Sequence, residues 1–142
     1  MRGFEAVQRT IEPCLRERYW GVSISPSGSF IGSDNPVMMD GPKGAQIGFK
    51  SAEVVLFSIS RHVLLYGTQV PVRRLVINRN EIARQNTFTM MNAHEQVYSH
   101  TPNFCWMDET GKYQTDWKLF SKERLQTDGL GFEAPTSLIA LR

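Results

Sequence analysis

No stretch of this chain approaches the roughly 18 consecutive apolar residues of a membrane-crossing helix, so a helical membrane protein is not expected. Cysteine is scarce. Cys14 and Cys105 stand far apart, and neither has a partner at Cys-x-x-Cys spacing, which argues against a disulfide framework and against a zinc ribbon. A single Cys14–Cys105 bridge stays open as the lesser alternative. Charge of either sign is nearly balanced, and a net +2 gives no global pull toward nucleic acid or membrane. Any such partner has to come from local clustering. There is no internal repeat and no low-complexity segment. Gly41, Lys43, Gly44 and Gly48 fall close together, but the Gly-Lys-Ser/Thr run of a phosphate loop is missing. The opening residues carry Glu5 and no apolar run, unlike a secretory signal. A reducing compartment suits two separated thiols, so a cytoplasmic protein is the expectation.

What is present is an ordinary globular composition, 41% hydrophobic and 21% charged over 142 residues. That excludes disorder of the whole chain and gives one domain, residues 1–142, able to bury a core without metal or disulfide staples.

Phe4, Val7, Ile11 and Leu15 recur at spacings of three and four, which predicts a helix over 2–18, kinked or split at Pro13. Thr10 can cap a second short helix there. Trp20, Val22 and Ile24 alternate with smaller residues, as in a half-buried strand. After the Pro26–Ser29 turn, Phe30 and Ile31 read as the returning strand of a hairpin. Residues 38–50 read as a loop. Glu53–Ser60 and His62–Thr68 read as strands, with Arg61 and His62 in the turn between them.

Asn78 with Glu81 three residues on makes a capping box, opening a helix that runs to about His94. Its face is Ile82, Asn86, Met90 and Ala93, then Val97. Asn86 is the polar member of that stripe. A buried amide needs partners, so Asn86 is expected to satisfy the Asp34–Pro36 turn or a neighbouring strand end. Gln96–His100 reads as a short strand, Phe104–Met107 as an apolar patch and Asp108–Lys112 as a turn. Tyr113, Trp117, Leu119 and Phe120 suggest a further short element, and 127–135 a loop.

The strand that ends at Phe30-Ile31-Gly32-Ser33-Asp34-Asn35-Pro36-Val37 runs into a proline-fixed polar corner. Asp34 there has two readings. The simpler is a carboxylate that caps backbone amides. The sharper is a strand-end carboxylate for metal or proton chemistry.

That element, together with Trp20, Asn86, Ala93 and Val97-Tyr98, resembles a bacterial family without known activity, domain-of-unknown-function family 4238. The likeness covers about residues 15–100 and matches the C-terminal part of the family, leaving residues 101–142 as an extension. Ser58-Ile59-Ser60-Arg61 stands where that family carries two prolines, and its His- and Pro-bearing opening is not matched. If the activity needs that opening, an inactive remnant, an isolated module or a fragment is implied. The resemblance implies a fold but no reaction.

Three function classes follow. A metal-dependent nuclease or phosphoesterase would need carboxylates converging on magnesium or manganese, with Asp34 and Glu53 as catalytic and metal-binding residues and Lys50 nearby. Lys50 precedes Glu53 instead of following it, which weakens this alternative. His62, His94 and His100 are too scattered for zinc. Cys105 as a nucleophile with His100 is disfavoured by its apolar neighbours. Nucleic acid could be held by Arg61, Arg73, Arg74, Arg79 and Arg84, although a solvated charged face is the simpler reading. Protein binding is the third class: Trp106 and Trp117, with Tyr113 and Phe120, are types enriched at interface hot spots, and Asn35 and Asn86 add polar binding candidates. The expectation is an α+β domain, an antiparallel or mixed sheet with one or two helices packed on one face. Its expected function is a non-catalytic protein-interaction module of microbial or phage-like origin, with another protein as partner, no membrane and no cofactor.

Overall fold

A computed structural model of the chain describes residues 2–42, 46–72 and 78–127. The fold is α+β. Helix α1 (Arg2–Arg16) leads into β1 (Tyr19–Ile24), a two-residue β2 (Gly32–Ser33), β3 (Val37–Asp40), β4 (Val54–Ser58) and β5 (Val63–Thr68). Helix α2 (Arg79–Asn92) follows, then β6 (Val97–Tyr98), β7 (Trp106–Met107), β8 (Tyr113–Gln114), a 3₁₀ turn at Trp117–Leu119 and α3 (Lys122–Thr127). The main sheet is antiparallel, in the order β1-β5-β4-β3; β2 pairs with β6 and β7 with β8.

Strands β4 and β5 form where β-branched and aromatic residues run together, Val54-Val55-Leu56-Phe57 and Val63-Leu64-Leu65-Tyr66. Their register sets Leu56 opposite Tyr66. Alternation then sends Val54, Leu56, Leu64 and Tyr66 to one face, where with Met38 of β3 they bury against Ile82 of α2. The opposite face carries Trp20, Val22, Ile24, Met39, Phe57 and Leu65, and these are half-buried or exposed. Trp20 lies on Gly67: a Cβ there would meet its ring at 2.8 Å, so the sheet is closed at this point by the absence of a side chain. Trp20 Nε1 also donates to Leu15 O at 2.8 Å, tying the end of α1 to the sheet.

Arg18 is buried, and no carboxylate pairs with it among the described residues. It donates to the carbonyls of Gly67 at 3.2 Å and of Phe49 and Ala52 at 2.7 Å each, bracing β5 against the segment before β4. Burial lowers its pKa, opposed by the nearby Cys14 thiol. Carbonyl dipoles take the place of a counter-ion.

Several sequence expectations are corrected. The hairpin from Trp20–Ser25 to Phe30-Ile31 does not form; β1 pairs along its length with β5, from Tyr19↔Thr68 to Ile24↔Val63. The turn after β1 is real, with Gly28 N–H donating to Ser25 O at 3.1 Å, but the chain does not return along β1, and Phe30 N–H donates to Arg61 O at 3.0 Å. Residues 38–50 are not all loop, because β3 occupies Val37–Asp40 and pairs with β4. α1 runs through Pro13 without a break. α2 ends at Asn92, before His94, and the strand expected over Gln96–His100 is only Val97–Tyr98. The capping box is present: Asn78 Oδ1 accepts Glu81 N–H at 3.0 Å, and Glu81 accepts Asn78 N–H at 2.7 Å. The turn at Asp108–Lys112 is present too, between β7 and β8. The loop expected over 127–135 lies, beyond Thr127, outside the described residues.

Candidate functional site

The polar corner is built by a two-stranded ribbon and the end of α2. Strand β2 pairs with β6 so that Gly32 faces Tyr98 and Ser33 faces Val97. The chain then turns at Asp34-Asn35-Pro36. Asp34 Oδ1 accepts the N–H of His94 at 2.9 Å, while Oδ2 accepts those of Glu95 at 2.8 Å and Gln96 at 3.2 Å. Desolvation beside the neighbouring backbone pushes this exposed carboxyl up, but the three amides, with the charge of His94, outweigh it and hold the pKa below the usual carboxylate range. Its main chain joins in, with Asp34 N–H donating to Gln96 O at 3.1 Å. Asn35 Nδ2 donates to Asn92 O at 3.1 Å, and Asn92 Nδ2 reaches Asn35 O and Val37 O at 3.5 Å. The corner is thus clamped to the segment that leaves α2.

Asn86 does the second of the two tasks expected of it. It is buried, and Oδ1 accepts Ile31 N–H at 3.2 Å. Its Nδ2 donates to Ser29 O and to Cys105 O, each at 2.8 Å. It joins the segment that leads into β2 to the residue that precedes β7, while Asn92 serves the corner itself. Sequence reasoning missed Gln85, Thr87 and Thr89, all buried on α2. Thr87 Oγ1 accepts Met107 N–H at 2.8 Å and so fixes β7. No local pattern marks them, because polar residues on a helix are assigned to solvent until their partners are known.

The remaining site candidates separate. Glu53 and Asp34 lie beyond opposite ends of β3: Asp40 pairs with Val54, whereas Asp34 precedes Val37. The four residues of β3 alone span about 10 Å, and ligands of one hard cation sit within about 2.6 Å of it. The two carboxylates are not brought together, and no group of three metal-capable side chains occurs among the described residues. Trp106 is not a surface residue. It is 1% exposed and meets Phe120 edge-on at 5.6 Å, in the core of Ile31, Met90 and Phe104. Trp117, by contrast, is 53% exposed. Burial pushes the Cys105 thiol up against the opposing charge of Arg79. Both cysteines are free.

Among the described residues, Arg61, Arg79 and Arg84 do not all share one face. Arg61 and Arg79 line the same cleft of about 730 Å³. Arg84 is exposed and lies roughly 140° round α2 from Arg79. Arg73 and Arg74 fall outside the described residues. A second groove, of about 670 Å³, is floored by Met90, Phe104 and Phe120 and walled by His94, Val97 and Trp117. Asp34 holds the amides of His94, Glu95 and Gln96, so the polar corner positions one wall of this groove.

These features define an α+β domain in which a carboxylate corner builds a surface groove. The chain belongs to the family described as protein of unknown function (DUF4238), whose model matches residues 5–103. No curated protein and no solved structure matches it. The matched span contains the corner, its partner segment and α2, and it begins further toward the N-terminus than the likeness drawn over residues 15–100. No helix of the described residues is long and apolar enough to cross a membrane.

Proposed function

We propose that the chain is a non-catalytic protein-binding module. In this reading, the groove beside Trp117 takes a short protein segment with an apolar anchor flanked by acidic residues. The observation that carries it is Trp117, more than half exposed and standing over an apolar floor of Met90, Phe104 and Phe120. A tryptophan so placed can bury a large area at small entropic cost, which is how hot spots work. Lys118 and Lys122 rim the groove, with His94 and His100 beside them, against a single carboxylate, Glu95, and the charge of the lysines favours an acidic partner.

A display selection of random linear peptides on the folded chain tests this. Peptides carrying an apolar residue beside Asp or Glu are expected to be enriched, and to bind Trp117→Ala and Lys118→Glu at least about tenfold more weakly. Failure to enrich any such consensus, or peptides that bind Trp117→Ala equally well, would overturn it. The alternative of a metal-dependent nuclease or phosphoesterase has less support, since both oxygens of Asp34 are occupied by backbone amides and Glu53 lies beyond the far end of β3.

A further inference from the structure

We infer that the cleft between the Pro26–Phe30 turn and the Ser99–Cys105 segment is a binding site for a small phosphate monoester, distinct in its ligand from the groove at Trp117. Two guanidinium groups, Arg61 and Arg79, line it, with His100 beside them and no Asp or Glu in its lining. Neither arginine is paired with a carboxylate among the described residues. Charge of one sign lining a concave site focuses the field and concentrates anions there.

Both arginines are pre-positioned. Arg61 Nε donates to His62 Nε2 at 3.1 Å, and His62 Nδ1 lies 3.0 Å from Ser25 O. That pair of contacts fixes the tautomer with the proton on Nδ1, so the ring relays the Ser25 carbonyl to Arg61. The ring is itself seated on Gly28, whose φ is +66° and where a Cβ would meet it at 2.5 Å. Arg61 is therefore anchored by its inner nitrogen, leaving its two terminal nitrogens for a ligand. Arg79 is stacked over the Tyr113 ring at 5.2 Å, a contact that orients the guanidinium without neutralising it. It is also the first residue of α2, where the helix dipole adds positive potential. The nearest acid in sequence, Glu81, is occupied by the capping box.

The ligand class follows from the donors. Two planar guanidinium forks suit a dianion with three terminal oxygens better than a carboxylate, which one fork saturates. Thr101 adds a hydroxyl at the rim, beside the linked hydroxyls of Ser27 and Ser29, whereas the Ser99 hydroxyl donates to Thr101 O at 2.7 Å. Phe30, Ile82 and Phe104 supply an apolar floor, which suits the organic part of an ester more than free phosphate. Arg84, on another side of α2, takes no part, and this separates the site from a general basic surface for nucleic acid.

Titrations followed by amide NMR test the assignment, with phenyl phosphate, inorganic phosphate and a short single-stranded DNA as probes. Phenyl phosphate is expected to saturate with a Kd at or below about 1 mM, to bind more tightly than inorganic phosphate, and to move the amides of Ser27–Phe30 and Ser99–Cys105. Arg61→Ala and Arg79→Gln are each expected to weaken it about tenfold or more, and Arg84→Ala to leave it unchanged. Arg61→Lys, which keeps the charge but not the fork, guards against loss by misfolding and is expected to fall between wild type and Arg61→Ala. No saturation by phenyl phosphate, shifts away from the cleft, or tighter binding of the DNA with equal dependence on Arg84 would overturn the inference.

Discussion

Asn35 and Asn92 hold each other's main chain. The side-chain amide of Asn35 donates to the carbonyl of Asn92 at 3.1 Å, and that of Asn92 reaches the carbonyl of Asn35 at 3.5 Å. Two residues far apart in sequence thereby join the corner after β2 to the last turn of α2. Because the contacts are reciprocal, the two side chains act as a unit. Asn35→Ala and Asn92→Ala are each expected to destabilise by about 1 kcal/mol. The double variant should cost less than their sum, with a coupling of about 0.5 kcal/mol or more in urea denaturation. Strict additivity would show that the two amides act separately.

Asn86 has a heavier task. Its side chain satisfies three backbone groups, of Ser29, Ile31 and Cys105, in a buried setting. Removing it leaves those groups without a partner, so Asn86→Ala is expected to cost at least about 2 kcal/mol. Asn86→Asp keeps the acceptor for Ile31 but loses both donors, and should also destabilise markedly. An unchanged melting temperature in either variant would contradict the assignment.

The two aromatic residues that look equivalent in sequence should behave oppositely. Trp106 is in the core, and Trp106→Ala is expected to cost about 3–5 kcal/mol. Trp117 is mostly exposed, and Trp117→Ala should stay within about 0.5 kcal/mol of wild type. Equal losses in thermal or chemical denaturation would refute the distinction.

A pH dependence follows from the turn between β7 and β8. Partial burial pushes the Asp108 carboxyl up, but hydrogen bonds from Gln114, Thr110 and Lys112 outweigh it and bring the pKa to about 2. A carboxyl whose folded pKa lies below its unfolded value stabilises the fold fully above the unfolded value, near 3.9. That contribution is lost as pH falls through the folded value. Asp108→Asn should therefore be less stable than wild type by a constant margin above about pH 5, a margin that shrinks between about pH 4 and 2. A margin that persists unchanged to pH 2 would contradict this account.

Local features were legible from sequence because short-range chemistry settles them. The capping box at Asn78 and Glu81, the apolar runs of β4 and β5, and the Asp108–Lys112 turn each depend on residues within a few positions. The pairing of β1 is not legible locally, because the turn signal at Pro26–Ser29 suggests a hairpin, whereas the strand's actual partner, β5, is decided by which faces bury together. Asn86 stood out as polar among apolar residues. Arg18, Gln85, Thr87 and Thr89 did not, because composition assigns such residues to solvent unless the partners are known. The corner around Asp34 was recognisable as a constrained turn, but its three amide partners come from a segment about 60 residues on, and no local pattern connects the two.

Asp34 acts as a clamp that holds the wall of the groove. Amide hydrogen exchange by NMR in wild type and Asp34→Asn addresses this directly, with the amides of Leu56 and Leu64 as reporters of the core. The His94, Glu95 and Gln96 amides are expected to exchange about tenfold faster or more in the variant, while the core amides keep most of their protection. Unchanged exchange at those three amides would contradict the clamp.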